Sequence, residues 1–255
     1  MSITILDEDK KTGKLSFSIS NISPAFANAL RRTIIDDVPT MAIETAEISK
    51  NSSILYDEVI AHRIGLIPLT TDLKTYDLQE NCKCNGEGCA RCSVQLTLKG
   101  SKPGFVTASQ FESKDPAVMP VYPNMPITKL AKGQEIEVIG TAILGKGRVH
   151  AKWTPAHVWY SYKPKITVHT TGKIQDERFP KSILDKNGKI DKNKINTPQL
   201  IDAVDGINEE ILTVEYDRSS FVFYMESFGQ LACRDIVQKA FDILGERIKA
   251  FSDQI

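Results

Sequence analysis

The chain has 255 residues, 41% apolar and 25% charged, with 32 basic and 32 acidic side chains and a formal net charge of zero. That balance supplies a buried core and excludes an intrinsically disordered chain. The missing basic excess argues against a free-standing nucleic-acid binder, which displaces counterions from phosphates with surplus Lys and Arg.

The opening "MSITILDEDKKTGK" lacks the basic start, apolar middle and small-residue cleavage site of a signal peptide. No apolar run approaches the ~20 residues that span a bilayer. The protein therefore reads as cytoplasmic, with no membrane partner, where thiols stay reduced. "KLSFSIS" alternates Leu15, Phe17 and Ile19 with polar neighbours and predicts a half-buried strand. "SPAFANALRRTIIDDVP" predicts a helix. Ser23 caps it, Pro24 occupies its first position, Phe26, Leu30 and Ile34 share a face, and Pro39 stops it.

"DEVIAHRIGLIPL" predicts a second helix with Asp57 as cap, Val59, Ile60 and Ile64 as apolar face, and Gly65 as a left-handed exit before Pro68. "SVQLTLKG" alternates as a strand. Residues 101–128 carry Pro103, Pro116, Pro120, Pro123 and Pro126 and read as extended or looped surface. "EIEVIGTAILGKGRVHAKW" and "KITVHTT" return to strand character.

At residue 171 the composition shifts to charge, Asn, Asp and Gly, the mark of a small separate module. The strands "ILTVEYD" and "SSFVFYMES" follow. A final helix of roughly 20 residues carries Val237, Ala240, Leu244, Ile248 and Phe251 as one stripe, with Ile236 and Ile243 beside it. So wide an apolar arc fits a helix packed on its own domain and on another chain.

Four of the five cysteines fall in "NCKCNGEGCARC": Cys82, Cys84, Cys89 and Cys92, spaced C-x-C-x4-C-x2-C. A C-x2-C hairpin offers two thiolates from one turn, and zinc takes four in a tetrahedron. The usual C-x2-C-x2-C run of an iron–sulfur site is absent, so zinc is favoured, with a loop of unmetallated thiols as the competing reading. Four protein ligands would leave no open position, which makes such a metal structural. Cys233 reads as a small buried hydrophobe.

The other motifs carry less. "LDKNGKIDKNKI" has Lys189 and Ile190 where a calcium loop needs a ligand and a glycine, so it reads as a solvated turn. "GKG" at 145–147 lacks the phosphate-loop frame. His62, His150, His157 and His169 stand in no catalytic signature. Arg31 and Arg32 fit a solvated helix face and a carboxylate-binding anchor equally well.

Three stretches resemble a known family. "NALRRTIIDDVPTMAIE" (28–44) is similar to the helix-and-turn signature of RNA polymerase alpha-type subunits. "DEVIAHRIGLIPL" (57–69), "GKGRVHAKWTPA" (145–156) and the four-cysteine loop resemble the archaeal and eukaryotic third-largest subunits, and the modest length fits the archaeal D-type members. The resemblance runs over nearly the whole chain and implies an α+β fold. Residues 1–45 and 211–255 would form a dimerisation domain of helices on an antiparallel sheet. Residues 46–168 would be an inserted, mostly-β domain, and 169–210 a degenerate ferredoxin-like module.

The implied function is assembly of DNA-directed RNA polymerase, a nucleotidyltransferase, with no catalytic residue in this chain. Partners would be the small alpha-like subunit L, the small subunits N and P, and the second-largest catalytic subunit. DNA would be met only through the assembled polymerase. The resemblance assigns interface roles to Asn28, Leu30, Arg31 and Arg32, and to Glu58, His62 and Arg63; the apolar stripes add Phe26, Ile34, Val237, Ala240, Leu244, Ile248 and Phe251. It also supports zinc on the cysteine loop. Many D-type relatives carry iron–sulfur cysteines near 170–210. Here that stretch has none, and Phe179-Pro180 stands where a Cys-Pro is expected, so no cluster is expected. A zinc-containing nucleic-acid-binding module and a ferredoxin-like redox protein are the competing functions. Neutral charge weighs against the first and missing cysteines against the second.

Overall fold

The computed structural model describes residues 1–195 and 197–255; Asn196, inside the 169–210 module, lies outside the described residues. The architecture is mixed α and β and rich in sheet. The strands are β1 (Ser2–Asp9), β2 (Lys14–Ser20), β3 (Thr40–Asn51), β4 (Ser93–Gly100), β5 (Gly104–Thr107), β6 (Phe111–Ser113), β7 (Pro126–Leu130), β8 (Ile136–Gly145), β9 (Ala156–Val168) and β10 (Leu212–Ser227). The helices are α1 (Pro24–Asp36), α2 (Asp57–Gly65), α3 (Pro198–Asp202) and α4 (Cys233–Ser252). One four-stranded sheet has the order β1-β2-β10-β9, a second the order β3-β8-β4-β6, and β5 pairs with β7.

The chain divides into two compact units. One comprises residues 1–4, 17–27 and 160–223, the other residues 5–16, 28–159 and 224–255. In the first, Phe17 stacks on Phe223 at 5.1 Å between ring centroids, and Tyr160 and Tyr162 pack against Phe221. A further apolar core joins Phe179, Ile183, Ile195, Ile201, Val204 and Leu212. In the second unit, β3 and β4 flank β8 in antiparallel register. The inward residues of β8 alternate strictly with half-buried ones, as a strand with one covered face requires. Met41, Ile43, Ile60, Ile64, Leu96 and Val138 belong to that core.

Local chemistry explains the helix boundaries. The Ser23 hydroxyl accepts the Phe26 amide at 3.2 Å, and Pro24 opens α1 as expected. At α2 three expectations are corrected. Tyr56, not Asp57, is the capping position, and it makes no side-chain cap bond; the Asp57 carboxylate instead accepts from the Asn51 amide at 2.7 Å. Gly65 stays right-handed, and the helix ends at Leu66, whose N–H turns back to the carbonyls of His62 and Arg63. Val59 lies on the exposed side, so only Ile60 and Ile64 point inward.

The "GKG" segment is a packing device. A side chain at Gly147 would sit 2.0 Å from the Ile35 carbonyl oxygen, and one at Gly145 would strike the Trp153 ring. Only glycine allows this approach of the turn after β8 to the end of α1. β1 had no forecast, and all but one of its side chains are exposed, including Ile3, Ile5 and Leu6.

Candidate metal centre and interface surfaces

The four-cysteine loop is built by turns rather than by a helix or strand. A short helical turn at Gln79–Asn81 leads in and β4 leads out. Asn85, Gly86 and Gly88 all take positive φ, at 52°, 85° and 90°. Two glycines and an asparagine are the residues that accept this backbone at least cost. The reversal returns the chain so that the amides of Cys92 and Ser93 both donate to the Cys89 carbonyl at 3.0 Å.

The outcome is convergence of four thiols. Sulfur–sulfur distances are 3.4 Å for Cys82–Cys84, 3.5 Å for Cys82–Cys89 and Cys84–Cys92, and 3.9 Å for Cys89–Cys92. All four ligand atoms lie within 4.8 Å of one another. None of the five cysteines is disulfide-bonded. A tetrahedron with zinc–sulfur bonds of ~2.3 Å has sulfur–sulfur edges of about 3.8 Å, so the donor set fits a tetrahedral thiolate metal.

The thiols differ in their electrostatics: the pKa of Cys84 is lowered, whereas those of Cys82 and Cys92 are raised. The Cys84 thiol is pulled down to about 5, first by the Cys89 backbone amide and then by the neighbouring Cys82 thiol. Burial pushes Cys92 up to about 12. One thiolate is thus stabilised by the loop's own dipoles, while the buried sulfur would be deprotonated by a metal's charge. Cys233, as expected, is a buried hydrophobe; its thiol donates to the Gly13 carbonyl at 3.1 Å.

The residues expected at partner surfaces fall into three sets. Leu30, Ile34 and Ala240 are completely buried within the chain, so their contribution is to its own core. Phe26, Arg31, Val237 and Leu244 are half-buried. Asn28, Arg32, Glu58, His62, Arg63, Ile248 and Phe251 are exposed. Arg31 donates to the Asn28 side chain at 3.0 Å, and Arg32 lies 3.6 Å from Asp36, so both guanidinium groups are oriented by α1 itself. On α4, Ile248 is 64% and Phe251 67% exposed. The apolar stripe read from the sequence is therefore inward at Cys233, Ile236 and Ala240 and outward at its far end.

α4 is fixed at both ends inside its unit. Near its start the Arg234 fork grips Glu8 at 2.6 and 2.9 Å. Near its end Arg247 grips Asp37 at 2.6 and 2.7 Å, and Arg148 adds a third bond to the same carboxylate at 2.8 Å. Sequence reading missed Asp37, Arg148 and Arg247, because nothing local links positions 111 and 210 residues apart.

Comparison with known proteins extends over the whole chain. Residues 42–157 match the RNA polymerase Rpb3/RpoA insert domain. DNA-directed RNA polymerase subunit Rpo3 of Methanosarcina acetivorans is 39% identical over 100% of this chain and 99% of the relative. The Rpo3 subunit of Archaeoglobus fulgidus is 36% identical over 95% and 93%, and that of Thermococcus kodakarensis 35% identical over 97% and 95%. With identity at this level along its full length, the chain belongs to the Rpo3 family of DNA-directed RNA polymerase subunits.

Proposed function

We propose that the protein is a non-catalytic assembly subunit, pairing with a small alpha-like subunit, L, to make the platform on which the second-largest catalytic subunit and the small subunits N and P dock. The supporting observation is the outer end of α4. Ile248 and Phe251 stand in solvent on a helix whose other residues Ile236 and Ala240 are fully buried. A soluble chain keeps two large apolar groups outward on one helix when a partner covers them. Residues 1–45 with 211–255 are the proposed dimerisation domain. The exposed Asn28, Arg32, Glu58, His62 and Arg63 are the proposed polar contacts of the larger subunit. The four-thiol loop is proposed to hold one structural zinc, supported by its tetrahedral sulfur spacing.

The test is co-expression with the small alpha-like subunit. The expected product is a stable 1:1 heterodimer. Ile248→Asp with Phe251→Asp should abolish it by placing unpaired charges in a desolvated contact, while Arg32→Ala should leave it intact and weaken docking of the catalytic subunit. A heterodimer indifferent to the α4 double substitution would refute this assignment of the interface.

A further inference from the structure

The 169–210 module carries a charged surface for which the assembly reading has no use. Between Lys173 and Lys194 the chain holds seven basic residues, Lys173, Arg178, Lys181, Lys186, Lys189, Lys192 and Lys194, against four acidic ones. All six lysines are exposed, and among the described residues none of them is ion-paired.

Three of the four carboxylates within the stretch are hydrogen-bonded to nearby groups. Asp185 accepts the amides of Asn187 and Lys189 at 2.7 and 2.9 Å. Asp191 accepts the Asn193 amide at 3.0 Å. Asp176 is held by the Arg178 fork at 2.7 and 2.9 Å. Asp176 is matched by Arg178, and the ionised Asp185 offsets part of the charge of Lys189 and Lys194, so Lys173, Lys186, Lys189 and Lys194 together keep an excess of positive charge.

The fold gathers part of the charge at one place. Leu184 and Ile190 pair across a tight turn, closed by the Asp185 amide on the Lys189 carbonyl at 2.8 Å. The Lys173 stem lies against Gly188 at the tip of that turn, where an added Cβ would come within 2.9 Å of it. The Lys194 ammonium reaches back to the Leu184 carbonyl. Lys186 and Lys189 sit on the turn itself. Four lysines therefore surround one hairpin.

Two observations decide what such a surface fits. Protein interfaces have an apolar or aromatic centre and are depleted in lysine. Here Phe179, Ile183 and Ile195 are all buried, and among the described residues from 163 to 215 no large apolar side chain is exposed. The charge is also carried by lysine, a point charge without the arginine fork that selects a planar partner. A polyanion contacted through its backbone matches both properties. Asp202, Asp205, Glu209 and Glu210 are exposed on the following segment, so the module's basic excess lies between residues 173 and 194.

We infer that the hairpin ringed by Lys173, Lys186, Lys189 and Lys194 is a sequence-independent contact for the phosphodiester backbone of nucleic acid. The test is a titration of the full chain with a fluorescent 24-bp duplex DNA and with single-stranded RNA of the same length, each across a salt series. Each lysine–phosphate contact adds about −0.9 to the log–log salt slope on duplex and about −0.7 on a single strand. Changing the four lysines to Gln should reduce the duplex slope by about 2–4 and weaken binding at least ~10-fold at low salt.

The same lysines changed to Arg should retain binding, which separates loss of charge from loss of fold. Lys10, Lys11, Lys102 and Lys132 changed to Gln should leave the slope as it was. Stronger binding to the duplex or to the RNA identifies which nucleic acid the hairpin holds. An unchanged slope in the four-Gln variant, or displacement of the DNA by polyglutamate as readily as by unlabelled DNA, would overturn the inference. Either result leaves pairing with the small subunit, read by co-expression, undisturbed.

Discussion

Asp37→Ala is the most informative single change within the fold. The side chain is 5% exposed and anchors two arginines, Arg148 from the turn after β8 and both arms of Arg247 from α4. Breaking a fully buried ion pair costs about 3–5 kcal/mol, because a stranded charge stays in a dry interior. That figure is an upper bound here, since the Arg148 and Arg247 side chains are 62% and 47% exposed and rehydrate when released. What is lost is a set of charge-assisted hydrogen bonds, each worth ~1.5–3 kcal/mol before that rehydration. A net destabilisation of about 2–3 kcal/mol follows. Urea unfolding of Asp37→Ala, Arg247→Ala and the double variant should give a coupling of about 1–2 kcal/mol. Hydrogen exchange should accelerate in α4 more than in β4 or β8. Strict additivity, to within ~0.3 kcal/mol, would show that the carboxylate does not clamp α4.

Other consequences are equally open to measurement. Elemental analysis should find one zinc per chain, falling to none in Cys89→Ser, with the protein colourless throughout because the loop's four thiols hold zinc and only Cys233 lies outside them; iron with a broad band near ~400 nm would contradict this. Phe179→Ala removes a ring 3% exposed from the module core and should cost ~3–5 kcal/mol, read as protease cutting within 169–210 while the β3-β8-β4 sheet stays intact. Tyr76 donates to Asp115 at 2.7 Å, and burial, then that bond, raises its pKa above the ordinary 10.0. The folded state thus holds this proton more tightly than the unfolded one, so its contribution is complete below pH 10.0 and is lost as pH rises beyond it. Tyr76→Phe should flatten that alkaline fall in stability; an identical fall in both proteins would refute the assignment.

Much of this could be read from local pattern. Ser23-Pro24 marked the start of α1, and the alternation of β2 and β4 marked strands, because capping and pleat depend only on neighbours in sequence. The cysteine spacing and its two glycines indicated a convergent site for the same reason. Features set by distant partners were not readable. Asp57 looked like a cap, yet Asn51 takes its carboxylate. Leu30, Ile34 and Ala240 are expected at a partner surface from their apolar faces and from the resemblance, and the fold buries them completely within the chain. β1 has no buried face to mark it, since all but one of its side chains are exposed. The pairing of Asp37 with Arg148 and Arg247 has no local trace.

Affinity purification of the full-length chain from its native host tests the assembly role most directly. An assembly subunit should bring with it the small alpha-like subunit and the two largest polymerase subunits in equal molar amounts, with nucleotide-polymerising activity in the eluate. Recovery of the chain alone, or with nucleic acid or a redox partner and no polymerase subunit, would contradict it.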